Sequence, residues 1–573
     1  MKSSTKAWVF LLGLVAVLAI GVTSVVVVIR FAGSHVPGNA ILVCELSGPI
    51  AERGSDSPLD EMFGDRALTR QDLRDAFNRA ASDSRIRAVR MRISDPQAAL
   101  ATMQEVRASL ALVSKADKKT YAYLETAGEG GSGNGLMYLA SGCSRIVLNP
   151  VGEVNLTGIA VRRPFLRGMF DKLGILPEFV GIGDYKTARF FFTEKDFTPA
   201  DREMTGWLVE SLRSQLVAGI AAGRKLDPTV VEDLMRRGPF LADEAVKAGL
   251  VDELADWPTF VEGCRKDGAS DLEEVSVRRY LRAERPDRSG AGIAVVVAEG
   301  GIQRGESGFS PVPVMGGDVM GADTIARAFR QVRDSNARAV VFRINSPGGS
   351  AVASEVIRAE MLRTAKRIPV IVSMGDVAAS GGYWVTCGAQ KIVANPATIT
   401  ASIGVFSGHF AMEKFFSDKL GVTFGRIEST PNATTYGALD PWTPEQQAIV
   451  QRSIDHIYDD FLTRVSASRK LARDKVDAIG RGRVFTGEQA IGHGLVDSLG
   501  GFDVALAEAR KAAGLAPDAA VELEFYPRVR PLFKRLFDRS DDAGARAAAT
   551  VKALIEGRVT SPGPVWMPPL IVE

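Results

Sequence analysis

The sequence predicts an α/β protein made of two copies of one domain in tandem, behind an N-terminal transmembrane helix. Three observations predict it. Residues 40 to about 255 recur as residues 293 to about 500: Arg87-Ala-Val-Arg-Met-Arg-Ile93 answers Arg338-Ala-Val-Val-Phe-Arg-Ile344, Arg145-Ile-Val-Leu-Asn-Pro150 answers Lys391-Ile-Val-Ala-Asn-Pro396, and Gly249-Leu-Val-Asp252 answers Gly494-Leu-Val-Asp497. The offset drifts only from 251 to 245 residues across these anchors, which means duplication, and a period this long is a whole-domain repeat rather than a solenoid. Within each copy, short β-branched runs alternate with stretches of helical period, the pattern of parallel βαβ units. Ahead of both copies, residues 7–29 carry no charge and are mostly Leu, Val, Ile and Ala.

That apolar run comes first along the chain. Its 23 residues reach about 35 Å as a helix, enough for the hydrocarbon core of about 30 Å with some tilt. Lys2 and Lys6 precede it and only Arg30 follows closely, so residues 1–6 are expected in the cytoplasm and the bulk of the chain outside. A cleaved signal peptide competes, since Ala32-Gly-Ser34 resembles a small-residue cleavage site. The run exceeds the usual h-region of about 7 to 15 residues, which favours a retained anchor.

The first domain is expected over residues 38–280 and the second over 293–515. Ala40-Ile-Leu-Val-Cys44 and Ile293-Ala-Val-Val-Val297 read as buried strands. Helices follow over residues 73–80 and 324–332, with Phe77 matching Phe329, then strands over 88–93 and 339–344. A helix over residues 352–364 leads to the strand Pro369-Val-Ile-Val-Ser373, which Thr120-Tyr-Ala-Tyr-Leu124 matches in the first copy. Each copy ends in a long helix, opened by Thr198-Pro and Thr443-Pro, where Thr caps and Pro takes the first helical position. The linker over residues 281–292 is polar and turn-rich. The tail over residues 516–573 leaves the repeat and carries the basic, aromatic Phe525-Tyr-Pro-Arg-Val-Arg-Pro-Leu-Phe-Lys-Arg-Leu-Phe537, either a packed or loose tail or a membrane-surface contact.

Composition narrows the function classes. A hydrophobic share of 46% and a charged share of 24% over 573 residues are those of a globular protein. Net charge +2 makes no electrostatic case for nucleic acid. Cys44, Cys143, Cys264 and Cys387 form no CxxC, so they read as buried thiols rather than a metal or redox site.

The copies differ where chemistry would be done. The second has Asn345-Ser-Pro-Gly-Gly-Ser350 and Ala379-Ser-Gly-Gly382 where the first has Ser94-Asp-Pro-Gln-Ala-Ala99 and Gly133-Asn-Gly-Leu136. The first has Asp184-Tyr-Lys-Thr-Ala188 where the second has Thr430-Pro-Asn-Ala-Thr434. Each half has kept one part of a site. Ser380 follows a buried strand and opens a helix, which exposes its hydroxyl at the carboxyl end of a sheet. The Gly381 amide points where an oxyanion would form, and Gly348-Gly349 after another strand offers a second donor. A plain helix cap and a tight turn remain the alternatives. A serine nucleophile needs a base. Of the four histidines, His35 lies by the membrane run and His456 and His493 read as structural, leaving His409, which has no evident carboxylate partner. Lys186 competes, provided burial lowers its pKa toward neutrality, and a solvated surface lysine is the bland alternative.

Asn345-Ser-Pro-Gly-Gly, Ala379-Ser-Gly-Gly-Tyr383, Asn395-Pro396, Ser402-Ile-Gly404 and Tyr185-Lys-Thr-Ala188 together resemble the signal peptide peptidase A family, in its long tandem-domain bacterial form. The resemblance runs from residue 1 to about 510. It implies the Clp-protease/crotonase fold, tandemly duplicated, and a Ser–Lys dyad that hydrolyses peptide bonds without a cofactor or metal. Ser380 matches the nucleophile, Lys186 the general base, Ser402 a serine that orients the lysine, and Gly349 and Gly381 the oxyanion donors. Thr187 stands where the family often has Ser, and Asn134 occupies the nucleophile position of the first copy. The resemblance further implies remnant signal peptides as substrates, a homo-oligomer of tetrameric form, and a place in the bacterial inner membrane with the catalytic domains outside the cytoplasm. Walls of the peptide groove are expected from Val377, Ala378, Ala379, Tyr383 and Ile403. A crotonase-like acyl-CoA enzyme and an inactive membrane scaffold are the rival readings.

Overall fold

The computed structural model describes residues 35–52, 68–266, 271–283, 290–310, 317–528 and 571–572. The span expected over residues 7–29 lies outside these; among the described residues no helix is long and apolar enough to cross a membrane.

Each copy builds one sheet. In the first, Glu273–Ser276, Ala40–Pro49, Ile86–Gln97, Lys119–Leu124, Arg145–Leu148 and Glu253–Leu254 lie side by side in that order, every pair parallel. In the second, Val484–Thr486, Ile399–Ala401, Val370–Ala379, Ala339–Ser346, Ala291–Glu299 and Val521–Tyr526 form the main path, and Lys391–Ala394 with Ser498–Leu499 branches from Val370–Ala379. Only Ile399–Ala401 and Val484–Thr486 run antiparallel there. Helices cover the sheets, so strands such as Ala339–Ser346 are buried on both faces and must read as apolar runs. The helices Arg70–Ser82 and Ala322–Arg333 hold equivalent places and bury Phe77 and Phe329 completely.

The long helices are Pro199–Arg224 and Pro444–Arg469, 26 residues each. Thr198 accepts from Asp201 N and Thr443 from Gln446 N, and each helix stops at a lysine in the left-handed region, Lys225 or Lys470. The second sheet does not end near residue 515. Val521–Tyr526 pairs in parallel with Ala291–Glu299, as Glu273–Ser276 pairs with Ala40–Pro49. The sequence reading, which assigned residues 516–528 to the tail, misses this edge strand because its short alternating Val-Glu-Leu-Glu-Phe-Tyr pattern lies past the matched anchors of the repeat and runs into the basic, aromatic stretch that follows. The four cysteines are buried and form no disulfide.

The halves dock through polar groups. Arg343, 1% exposed, lies between the carboxylates of Glu52 and Glu105 of the first half, with four N···O distances of 2.8 to 3.0 Å. Thr102 N and Oγ1 donate to Asp376 of the Ser380 strand at 3.0 and 2.7 Å, and Arg70 pairs with the same carboxylate. Such a network adds little net stability but makes any other docking leave charges unpaired. The first half also sends out an arm: Leu176–Gly181 pairs antiparallel with Phe406–Ala411 of the second half, from Leu176 opposite Ala411 to Gly181 opposite Phe406. Five residues later comes Lys186.

Candidate active site

Ser380 stands at the carboxyl end of Val370–Ala379 and caps the short helix Gly381–Trp384. Its backbone is at φ +55°, ψ −120°, a conformation costly for a residue with a side chain and held here by its surroundings. Ser380 N donates to Ala401 O at 2.8 Å, and Tyr383 N and Trp384 N donate to Ser380 O. The bend lifts the hydroxyl off the end of the sheet, as in strand–turn–helix nucleophile sites. Sequence gave the strand and the helix start but not this strain.

The glycine loop lies against Ser380 at distances only glycine allows. A Cβ on Gly348 would fall 2.8 Å from both Gly381 N and Ser380 Cβ, and one on Gly381 would fall 3.1 Å from Gly349 N. Gly348 and Gly349 have φ +107° and +150°. Gly301–Gln303 holds the loop: Ile302 N donates to Gly348 O at 2.8 Å and Ser350 N to Ile302 O at 2.9 Å. Neither Gly349 N nor Gly381 N has a hydrogen-bond partner among the described residues, so two free amides flank the serine.

Lys186 reaches this point from the other half. It precedes the 3₁₀ turn Thr187–Arg189, and its Nζ lies 2.9 Å from Ser380 Oγ, 2.9 Å from Ser402 Oγ and 3.1 Å from Ser402 O. The side chain is 5% exposed, and burial alone pushes its pKa down from 10.5 to about 7. A neutral amine has two N–H bonds. Ser402 supplies two acceptors for them, which leaves the lone pair facing Ser380 Oγ. Ala401 and Ser402 also have positive φ, +64° and +53°, and this local strain turns Ser402 toward the amine.

His409 is the histidine that sequence left open as a base, and it is engaged elsewhere. Its Nδ1 donates to Gly437 O at 2.6 Å, its Nε2 meets Glu178 Oε2 at 3.0 Å, and its ring stacks on Trp442. It therefore has a carboxylate partner, unlike the sequence expectation, but both nitrogens point away from Ser380. The expected groove walls also need correction. Ala378, Ala379, Tyr383 and Ile403 are fully buried, all but Ala379 in the second core, with Tyr383 OH donating to Leu495 O. The cleft at Ser380 is walled by Pro347, Ala351, Trp384, Phe406, Ile457 and Phe461 and holds about 520 Å3 of empty space, part of it open to solvent. Ile457 and Phe461 come from the helix Pro444–Arg469, where a face that lines a cleft has the same pattern as one that packs a core.

The corresponding place in the first copy is closed. Asn134 stands where Ser380 does. Its Nδ2 donates to Ser132 Oγ and Gly158 O, and its Oδ1 accepts from Thr157 N and Gly158 N. Leu156 occupies the position of Ser402. A fully satisfied amide beside a leucine has no reactive group to offer.

Comparison with known proteins bears out the duplication. The profile of peptidase family S49 matches residues 113–270 and 363–516. "Protease 4" of Salmonella typhi is 36% identical over 406 residues, 68% of this chain and 64% of that one, so the match falls just short of two thirds of that protein. "Serine protease SPPA, chloroplastic" of Arabidopsis thaliana is 30% identical over 84% of this chain and 71% of its own, and "Protease 4" of Haemophilus influenzae 32% identical over 84% and 80%. Among solved structures, a ClpP1 mutant from Listeria monocytogenes aligns with 37% of this chain and 94% of its own at TM-score 0.25 and 14% identity. A serine beside a buried lysine, in a duplicated α/β chain matched twice by one peptidase profile, leads to one conclusion: the chain belongs to peptidase family S49 and is a serine protease.

Proposed function

We propose that the chain is a membrane-anchored endopeptidase in which Ser380 is the nucleophile and Lys186 the general base, and that it degrades remnant signal peptides and other apolar, unfolded peptides. The observation that carries the reading is the 2.9 Å approach of a buried lysine, its pKa lowered to about 7, to a strained serine. Neutral Lys186 takes the proton of Ser380 Oγ as that oxygen bonds to the scissile carbonyl carbon. The resulting oxyanion lies between the amides of Gly349 and Gly381. When the C–N bond breaks, the Lys186 ammonium protonates the departing amine. Water then attacks the acyl ester by the same proton route, releasing a carboxylic acid and free Ser380. Ser402 keeps the amine aimed throughout.

Substrate class follows from the walls. Trp384, Phe406, Ile457 and Phe461 suit small or aliphatic side chains beside the scissile bond, and the edge strands near Gly349 suit an extended backbone. The apolar run at residues 7–29 supports an inner-membrane anchor with the catalytic halves outside the cytoplasm, where apolar peptide remnants arise. A homo-oligomer, tetrameric by the family resemblance, is supported by Leu420, Val422, Phe424 and Ile427, which are exposed in the stretch of the second copy that answers the first half's arm. Labelling by a serine-reactive fluorophosphonate tests the chemistry: wild-type label lost in Ser380→Ala is expected, and persistent label in that variant contradicts it. A reporter after Glu573 should behave as extracytoplasmic, whereas purified protein starting near residue 35 would mean a cleaved signal.

A further inference from the structure

We infer that the turn at residues 480–483 is the bracket that sets Lys186 against Ser402, with Gly482 and Arg483 as positioning residues for the base, an inference that rests on the Ser–Lys reading above. After Gly181 the Lys186 segment has left both sheets, so something else must hold its backbone. The turn does this from the second half. Arg481 O accepts from Tyr185 N at 3.2 Å, the residue next to the base. The same turn holds the Ser402 side: Gly482 N donates to Ile403 O at 2.7 Å and Arg483 O accepts from Ser402 N at 2.9 Å. One four-residue piece thus ties together the lysine of one half and the serine of the other.

The contact is closer than any side chain permits. Gly482 has φ +88°, and a Cβ there would fall 2.3 Å from Lys186 N, 2.5 Å from its Cα and 2.6 Å from its Cβ. A Cβ on Gly404 would lie 2.7 Å from Gly482 Cα and 3.2 Å from Lys186 Cδ, and one on Gly183 would lie 2.2 Å from Arg481 O. Three glycines from three segments therefore meet where the turn packs on the Lys186 segment, a close approach that requires their missing side chains. The turn is anchored outward as well: Arg481 N donates to Tyr458 OH at 3.1 Å, and that hydroxyl donates to Asp477 at 2.6 Å. Arg483 lays its guanidinium over the Tyr185 ring, 3.9 Å from the centroid, and faces Trp207 at 5.2 Å.

A lysine side chain is long and flexible, so its amine is only as well placed as its backbone and walls. The bracket fixes the Lys186 backbone by pressing Gly482 against its N, Cα and Cβ while holding Ser402 N. Burial alone acts on the amine; the carboxylates beside the bracket, Asp477 and Glu203, accept from Tyr458 and Tyr185, and Arg481 and Arg483 belong to the turn itself.

The test uses the full chain in detergent, an apolar peptide substrate, and rates from pH 5 to 10 alongside thermal unfolding. Gly482→Ala should lower kcat about 100-fold, the scale of a reacting group displaced by about 1 Å, with little change in KM. Its acidic limb of kcat/KM should move to higher pH, because a loosened bracket lets water restore the ordinary affinity of the amine for its proton. Arg483→Ala should move both readouts the same way by less, and Arg483→Lys should recover only part. If Gly482→Ala does not fold, Arg483→Ala carries the test. Wild-type kcat and limb in the folded variants overturn the inference, and so does a loss that follows the unfolded fraction with the limb unmoved. Lys186→Ala separates the two claims: turnover in that variant removes the Ser–Lys reading itself, while an inactive Lys186→Ala beside a normal bracket variant removes the bracket alone.

Discussion

Replacing Lys186 with Met should end peptidase activity and yet stabilise the folded chain at acidic pH. Burial lowers the Lys186 pKa from 10.5 to about 7, and at about 1.36 kcal/mol per unit this is about 5 kcal/mol of preference for the neutral amine. The sign follows from the protons bound. Between the folded value and the ordinary value the unfolded chain holds one more proton, so stability from this group rises with pH across that window. It is fully present above the unfolded pKa, 10.5, and lost as pH falls through about 7. Below that pH the folded chain carries a buried ammonium at the whole cost. Met keeps nearly the same length without the charge. It also gives up three bonds, one to Ser380 and two to Ser402, about 1 kcal/mol each, so a net gain of about 2 kcal/mol is expected at pH 6 and a net loss of about 3 kcal/mol at pH 10.5. Denaturant unfolding of both chains at the two pH values reads this directly. A variant less stable than wild type at pH 6, or an advantage that does not fall toward alkaline pH, would refute the buried-lysine reasoning.

Three further outcomes are expected. Peptidase kcat/KM should rise through about pH 7 and level above it, since only the neutral amine accepts the Ser380 proton; a rate flat from pH 5 to 9 contradicts this. Gly349→Ala should cost about 10² to 10³ in kcat, the scale of one lost oxyanion donor, because its Cβ would fall 2.2 Å from Ile302 O and displace the amide; undiminished turnover would remove Gly349 from the site. Arg343→Met should destabilise the chain by about 3 to 5 kcal/mol by leaving Glu52 and Glu105 facing each other without their cation, and an unchanged denaturation midpoint would show that the halves dock without it.

The duplication made the site legible. Two copies of one fold share their structural residues, so Ser380 against Asn134, and Lys186 against Asn432, stand out as places where only chemistry explains the difference. The strands were legible because parallel strands buried on both faces need runs such as Val340 to Ile344. What sequence left out lies in contacts between distant segments. Gly482 reads as any turn glycine until Lys186, about 300 residues earlier, is seen pressed on it. Ile457 and Phe461 read as core. Val521–Tyr526 has the alternation of a half-buried strand, but its partner Ala291–Glu299 lies about 230 residues earlier, so its place at the sheet edge shows only in the fold. His409 looked unpartnered because Glu178, its carboxylate, belongs to the arm of the other half. The expected walls failed for a related reason: Ala378 and Tyr383 flank Ser380 in sequence and Ile403 follows Ser402, but all three side chains are buried in the core.

The central claim is that the two halves of one chain complete one site, with Lys186 of the first 2.9 Å from Ser380 of the second. Co-expressing Lys186→Ala and Ser380→Ala chains, separately tagged and purified together as mixed assemblies, tests it most directly. Each chain then lacks one member of the pair, and assemblies with sites built inside single chains should show neither turnover of an apolar peptide nor fluorophosphonate labelling activated above either variant alone. Recovered activity in the mixed assemblies would mean that the lysine of one chain serves the serine of another, and would contradict it.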